Sequence, residues 1–390
     1  MPDAIKNILL SWGRGRNALL YGPPATGKTR LISELFEILN SPPEAEQGIW
    51  LDPAETETPF VRPELEIPIP RPVKVVWTTF HQSYGYEDFV LGLRPEMTSE
   101  GTQLRPWSGV FLDAALEISD PETDVNSVVI FIDEINRGNA ARIFGEFMTF
   151  LDFDYREEGS VPLPLPLRQL SFESGVSEEI RRPGGKTATI PEGFTFPKHV
   201  YVVSTMNSVD RAAVPIDSAL ARRFDRIEMR PNLDVLGKLW GLTRETINAP
   251  TDENWETLSP FETTYLLLDR LNALIAGDLG PEFELGHGLL VSIQAAASDT
   301  GVPISEDQVW RDIARVWDDV LFPQLEDRYS GRPEQLIELL RVDSPPATGE
   351  IAWALRTTIG NSSPTRTLAP VRVSDLDLEI VKRSFRWLTR

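Results

Sequence analysis

GPPATGKT, residues 22–29, is the stretch on which the fold turns. It has the G-x-x-x-x-G-K-[ST] spacing of a loop that wraps a phosphate chain. Gly22 and Gly27 let the backbone curl so that N–H groups point inward, with Pro23, Pro24, Ala25 and Thr26 between them. Lys28 can set its ammonium against the outer phosphates, and the Thr29 hydroxyl can complete a Mg²⁺ shell. A helix starting here adds its positive dipole end. So short a pattern needs context: a strand before it and a helix after it.

Both are present. Residues 17–21 form a short apolar run that ends at the loop, as a buried parallel strand does. Beyond the loop, Leu31, Ile32, Leu35, Phe36 and Leu39 recur at helical spacing. Asn40-Ser41-Pro42-Pro43 stops that helix.

Further strands are predicted at 73–79, 127–133, 199–205 and 226–229, alternating with helical patterns. Five such strands imply an α/β fold with a parallel sheet covered by helices. Two insertions interrupt it. Residues 41–72 are rich in proline and acidic groups, and residues 152–196 run from a Pro-Leu repeat into Arg181-Arg182-Pro183-Gly184-Gly185-Lys186. After about residue 231 helices take over, at 263–276, 306–321 and 334–340, the second capped by Ser305 with Gln308. Residues 343–368 read as a loop or linker, and a last helix is expected around 376–388. The organisation predicted is therefore a nucleotide-binding domain over 1–230, a helical lid over 231–342 and an extension over 343–390.

Composition narrows the chemistry. The 390 residues are 41% hydrophobic, enough for more than one core. A net charge of −21 argues against a large nucleic-acid-binding surface on this chain. With no cysteine and three histidines, disulfides are impossible and a His/Cys zinc site is not expected. No apolar run suits a signal peptide or a membrane span, so the expectation is a soluble cytoplasmic protein with no membrane partner.

The second acidic motif completes half of a hydrolytic site. Val128-Val129-Ile130-Phe131-Ile132 leads into Asp133-Glu134, which fixes two carboxylates at the carboxyl edge of the sheet. Asp133 can hold the Mg²⁺ shell, and Glu134 can orient or deprotonate the attacking water. Asn207, ending the next strand, can hydrogen-bond that water or the terminal phosphate. Arg222-Arg223, just before the last strand, can reach a neighbouring subunit's γ-phosphate as arginine fingers.

Together these stretches resemble the AAA+ superfamily, and within it the McrB-like branch, which supplies the motor subunit of McrBC-type modification-dependent restriction systems. The likeness rests on GPPATGKT (22–29), TFHQSYGYEDFVLGLRP (79–95), IDEINRGNAARIFGEFM (132–148), STMNSVDR (204–211) and DSALARRF (217–224). FELGHGLL (283–290) is similar to a Gly-His segment of the family's lid. MoxR-like remodelling ATPases share the DEINR stretch but typically carry Gln-Asn-Pro where this chain has Thr205-Met206-Asn207.

The resemblance implies an AAA+ P-loop NTPase with a five-stranded parallel sheet and a C-terminal helical lid. It implies nucleotide binding by residues 22–29, Mg²⁺ at Thr29 and Asp133, Glu134 as catalytic glutamate and Asn207 as polar sensor. It places Arg222 and Arg223 in trans, Tyr84 and Tyr86 in a pore or partner loop, and His287 near the nucleotide. The implied assembly is a hexameric ring using ATP or GTP, working with a McrC-like nuclease in antiphage defence and meeting DNA through that partner. A MoxR-like remodelling ATPase and a nucleotide-gated scaffold with little hydrolysis are the alternatives. Ala25 stands where the loop often has glycine, a change expected to be harmless if its φ stays negative. The sequence also leaves no room before residue 17 for a DNA-reading domain, so target recognition is expected elsewhere.

Overall fold

The computed structural model describes residues 3–40, 69–70, 72–99, 101–157, 179–190, 194–210, 214–245, 247, 250–251, 254–293, 304–347, 349–359 and 364–390. Insertion 41–72 lies outside the described residues except at 69, 70 and 72, as do 158–178 and 191–193 of insertion 152–196. The chain divides into two compact units: residues 1–21 with 28–229, and residues 22–27 with 230–390.

The first unit is built on β1 (Asn17–Gly22), β2 (Val73–Thr79), β5 (Ser127–Asp133), β8 (Val200–Asn207) and β9 (Phe224–Glu228). Their order is β2-β5-β8-β1-β9, so the first strand lies inside the sheet rather than at its edge. Strands β2 and β5, β5 and β8, and β1 and β9 pair in parallel. In such a sheet, ligands collect beyond the carboxyl ends where the strand order reverses. That is where β1, β5 and β8 end.

Burial explains why these strands read so plainly. Val128, Ile130 and Ile132 pack into one layer with Phe111, Phe144 and Phe147. The alternating Val129 and Phe131 pack into the other, with Leu31, Leu35 and residues of the helix Asp3–Gly13. A strand buried on both faces has no polar side to alternate with. Two strands differ slightly from expectation: β8 runs to Asn207, and β9 spans Phe224–Glu228 rather than 226–229.

A hairpin not foreseen in the sequence separates β2 from β5. Strands β3 (Leu91–Thr98) and β4 (Gly101–Ser108) pair antiparallel, and β6 (Ile180–Arg181) and β7 (Thr187–Ala188) extend them into a small second sheet. Leu93, Met97 and Leu104 are exposed, so no core demanded a legible hydrophobic pattern.

The second unit is helical apart from one hairpin. Helices Pro260–Asp278, Glu306–Val316, Phe322–Arg328 and Pro333–Leu339 surround a core that includes Leu268, Trp310, Trp317 and Leu336. The helix expected to run unbroken over 306–321 instead enters a π turn at Trp317–Leu321. Pro323 follows it, and a proline there has no N–H for the ladder, so the register must change. Ser305 caps as expected, accepting from the Gln308 N–H at 3.2 Å.

Residues 343–368 are not simply a linker: β10 (Leu355–Ile359) and β11 (Pro364–Leu368) pair antiparallel. The final helix, Leu378–Leu388, buries Val381, Phe385 and Leu388 in the same core as Trp317 and Trp353. No described helix is long and apolar enough to cross a membrane.

Candidate functional site

The acidic pair sits at the end of β5. Asp133 is half-buried, and its Oδ1 accepts the Thr205 hydroxyl at 2.5 Å. The same hydroxyl accepts the Glu134 backbone N–H at 3.0 Å, so one β8 side chain fixes both acidic residues. Glu134 turns sharply, with φ 54° and ψ 50° in the left-handed region. That conformation is unusual without a glycine.

Two side chains flank the Glu134 carboxylate. Asn207 donates its side-chain amide to Oε1. Arg137 Nε lies 3.6 Å from Oε2 and 3.0 Å from Asp210 Oδ2. Oε2 is buried yet has no hydrogen-bond donor among the described residues. Buried acceptors are normally satisfied, and this one faces only the Arg137 guanidinium, at 3.6 Å. Burial raises the Glu134 carboxyl above its ordinary range, Arg137 and Lys28 oppose that rise, and Asp133 and Asp210 reinforce it.

Lys28 opens the helix Lys28–Asn40 and is buried. Burial lowers its ammonium to about 8, against the pull of Glu134 and Asp133. Next to it, Thr29 keeps an exposed residue surface. The Thr29 hydroxyl and the Asp133 carboxylate are hard oxygen donors of the kind Mg²⁺ takes beside substrate phosphates and water. Among the described residues, no group of three acidic or histidine side chains could hold a metal alone.

The loop itself, residues 22–27, belongs to the second unit. Ala25 has φ 61°, so the expectation of a negative φ is corrected: the alanine occupies the left-handed region that glycine usually fills. Its carbonyl accepts the Gly288 N–H at 2.8 Å, and the Thr26 hydroxyl donates to the Pro23 carbonyl at 3.0 Å.

Residues 71–224 match the AAA domain family, dynein-related subfamily. Over 288 residues the chain is 29% identical to the type IV methyl-directed restriction enzyme EcoKMcrB subunit of Escherichia coli (strain K12), covering 73% of this chain and 49% of that protein. Residues 71–224 are thus matched as an AAA domain, and the chain is a homologue of restriction-enzyme components resembling McrB. It is also 26% identical over 217 residues to the type II restriction enzyme BsuMI component YdiS of Bacillus subtilis (strain 168), covering 55% of this chain and 57% of that one. The chain thus spans about half the length of the curated relatives it matches. A proposed ATPase from Cytophaga hutchinsonii covers 83% of this chain and 79% of its own at 13% identity, but a TM-score of 0.28 carries no weight.

In this AAA+ chain the two finger candidates part company. Arg223 is buried, with Nε on Asp152 Oδ2 at 2.9 Å and Nη1 on the Ala219 carbonyl at 2.6 Å. In this chain its guanidinium is therefore held by Asp152 and the Ala219 carbonyl. Arg222 is exposed at the end of the short helix Ser218–Ala221.

Tyr84 and Tyr86 are both partly buried and engaged within the chain. Tyr84 accepts the Thr78 hydroxyl at 3.0 Å and stacks on Phe80 at 5.1 Å. Tyr86 donates to Glu146 Oε1 at 3.0 Å and meets Phe147 edge-on. Arg137, Thr205 and Asp210 were given no role from the sequence, although all three lie in the quoted motifs. Their spacing from Glu134 and Asn207 was the available signal.

Proposed function

We propose that this chain is a Mg²⁺-dependent nucleoside triphosphatase that cleaves the β–γ bond of ATP or GTP. What supports the reading is the Glu134 carboxylate: Asn207 holds it through Oε1, and its buried Oε2, beside Arg137, has no hydrogen-bond donor among the described residues. Water at that oxygen would attack the γ-phosphorus and pass its proton to Glu134, while the bond to the β–γ bridging oxygen breaks and that oxygen leaves on the diphosphate. The amides of residues 22–27 would cradle the phosphates, and Lys28 would neutralise the outer charge. Thr29 and Asp133 would hold Mg²⁺, which supplies charge neutralisation on the β- and γ-oxygens. Asn207 would hold Glu134 and the water in register.

Arg222 is the residue proposed to act in trans, because it is exposed where Arg223 is not. That role requires a ring, and a hexamer is the assembly proposed. Residues 1–230 would form the nucleotide-binding domain, 231–342 the lid and 343–390 its extension. The likeness to two restriction-enzyme components supports a motor for a McrC-like nuclease in defence against foreign DNA, with DNA met through that partner.

Phosphate release with ATP and GTP, with and without the product of an adjacent nuclease gene, tests the reading. Glu134→Gln should bind nucleotide and turn it over at least ~10²-fold more slowly. Unchanged turnover in an intact assembly would remove Glu134 from the mechanism, and none in the wild type would favour a scaffold.

A further inference from the structure

Within the second unit, one turn is built against the phosphate loop. It comprises Gly286 and the 3₁₀ turn His287–Leu290. A Cβ on Gly286 would meet the Pro24 carbonyl oxygen at 2.2 Å and Ala25 at 2.4 Å; one on Gly288 would meet the Ala25 carbonyl oxygen at 2.8 Å. These approaches leave room only for glycine. The turn is also pinned from behind. Asn272 Nδ2 donates to the Leu285 carbonyl at 3.0 Å, its Oδ1 accepts the Leu285 N–H at 2.6 Å, and Arg230 pairs with Glu284 at 2.5 Å.

His287 stands at the centre of this contact and is buried. Its Nδ1 lies 3.1 Å from the Asn232 backbone N–H. A backbone N–H can only donate, so Nδ1 accepts and the ring proton sits on Nε2. Nε2 is 3.9 Å from the position a Cβ on Gly27 would take, on the residue just before Lys28. The donor end of the imidazole therefore faces the loop, whose own backbone is strained at Ala25.

We propose that His287 is a positioning residue for nucleotide binding: held by Asn232, it fixes the phosphate loop in the conformation that receives a nucleoside polyphosphate. The inference rests on residues 22–29 being the nucleotide site. It is tested in a Glu134→Gln background, where hydrolysis does not confuse binding, with fluorescent ATP and GTP analogues as probes. His287→Ala should weaken binding about tenfold, the loss of one hydrogen bond's worth of affinity. His287→Gln, whose Nε2 can donate from a similar position, should recover most of it.

In the hydrolytic protein, His287→Ala should raise KM while kcat stays within about twofold. Gly286→Ala, which leaves His287 in place but displaces the loop, should weaken binding as well. Tight binding in the Glu134→Gln protein with no change in His287→Ala would overturn the proposal. So would a binding loss matched by a fall in the unliganded melting temperature and not rescued by glutamine. Failure of the background protein to bind either probe would instead overturn the nucleotide-site reading itself, a result Lys28→Ala would then leave unchanged.

Discussion

Asn207 donates its side-chain amide to the Glu134 carboxylate, joining the ends of two adjacent parallel strands. The bond leaves Oε2 as the only carboxylate oxygen of Glu134 without a donor among the described residues. Asn207→Ala frees the carboxylate to rotate without touching the phosphate loop. The expected result is a fall in kcat of about 10²-fold with KM nearly unchanged, since a misplaced group costs rate rather than binding. Steady-state phosphate release over a range of nucleotide concentrations separates the two constants.

Glu134 must be ionised to take a proton, and burial holds its carboxyl above the ordinary range. The acid limb of kcat should therefore lie above the 4.5 of an unperturbed glutamate. Arg137 acts in the opposite direction, favouring the charged form. Arg137→Gln should move that limb to still higher pH. A limb unmoved by the substitution would mean that Arg137 does not act on Glu134 through its charge.

Lys28 titrates near 8 in the unliganded protein, below the 10.5 of a free lysine. Between those values the unfolded chain holds a proton that the folded one lacks, so the contribution to stability rises with pH across that window. Nucleotide binding runs the other way. Polyphosphate favours the ammonium, so binding near pH 8 should take up a proton, and affinity should weaken as pH rises further. Calorimetry in buffers of different ionisation enthalpy reads the proton directly, and Lys28→Met should abolish it.

Neighbouring arginines should give opposite phenotypes. Arg222→Ala should cut turnover on the order of 10³-fold and leave the melting temperature alone. Arg223→Ala leaves Asp152 without its partner and should cost about 1–3 kcal/mol of stability. Mixing Arg222→Ala subunits with Lys28→Ala subunits should restore some turnover, and no recovery at any ratio would count against action in trans.

Ala25→Gly should stabilise the second unit by about 0.5–1 kcal/mol, because an L-residue in the left-handed region costs more than glycine's extra freedom in the unfolded chain. Urea unfolding followed by a tryptophan signal from that unit would register it.

How legible the sequence was depended on what fixed each feature. The strands at 73–79 and 127–133 were found to the residue: the second is buried on both faces and leaves an unbroken apolar run, while the first, a partly buried edge strand, was carried by Val73, Val75, Val76 and Trp77. Asp133, Glu134 and Asn207 came together because strand ends place them there. The φ of Ala25 was not legible, since Gly286 and Gly288, some 260 positions along the chain, press on it. Nor was the ion pair of Arg223 with Asp152, made between residues 71 positions apart. The strands Leu91–Thr98 and Gly101–Ser108 expose Leu93, Met97 and Leu104, and Leu355 is exposed at the start of β10, so these segments carry little hydrophobic pattern. Thr205 was passed over because a threonine in a strand ordinarily signals only β-propensity.

The last helix has a consequence for the order of events in the cell. Phe385 and Leu388 are fully buried beside Trp317, so that core cannot close until residues 378–388 have emerged from the ribosome. The parallel sheet is complete at Glu228 and can form while the helices are still being made. Synthesis would then yield a folded sheet well before a folded lid. A chain broken off before residue 378 should fail as a lid rather than as a sheet.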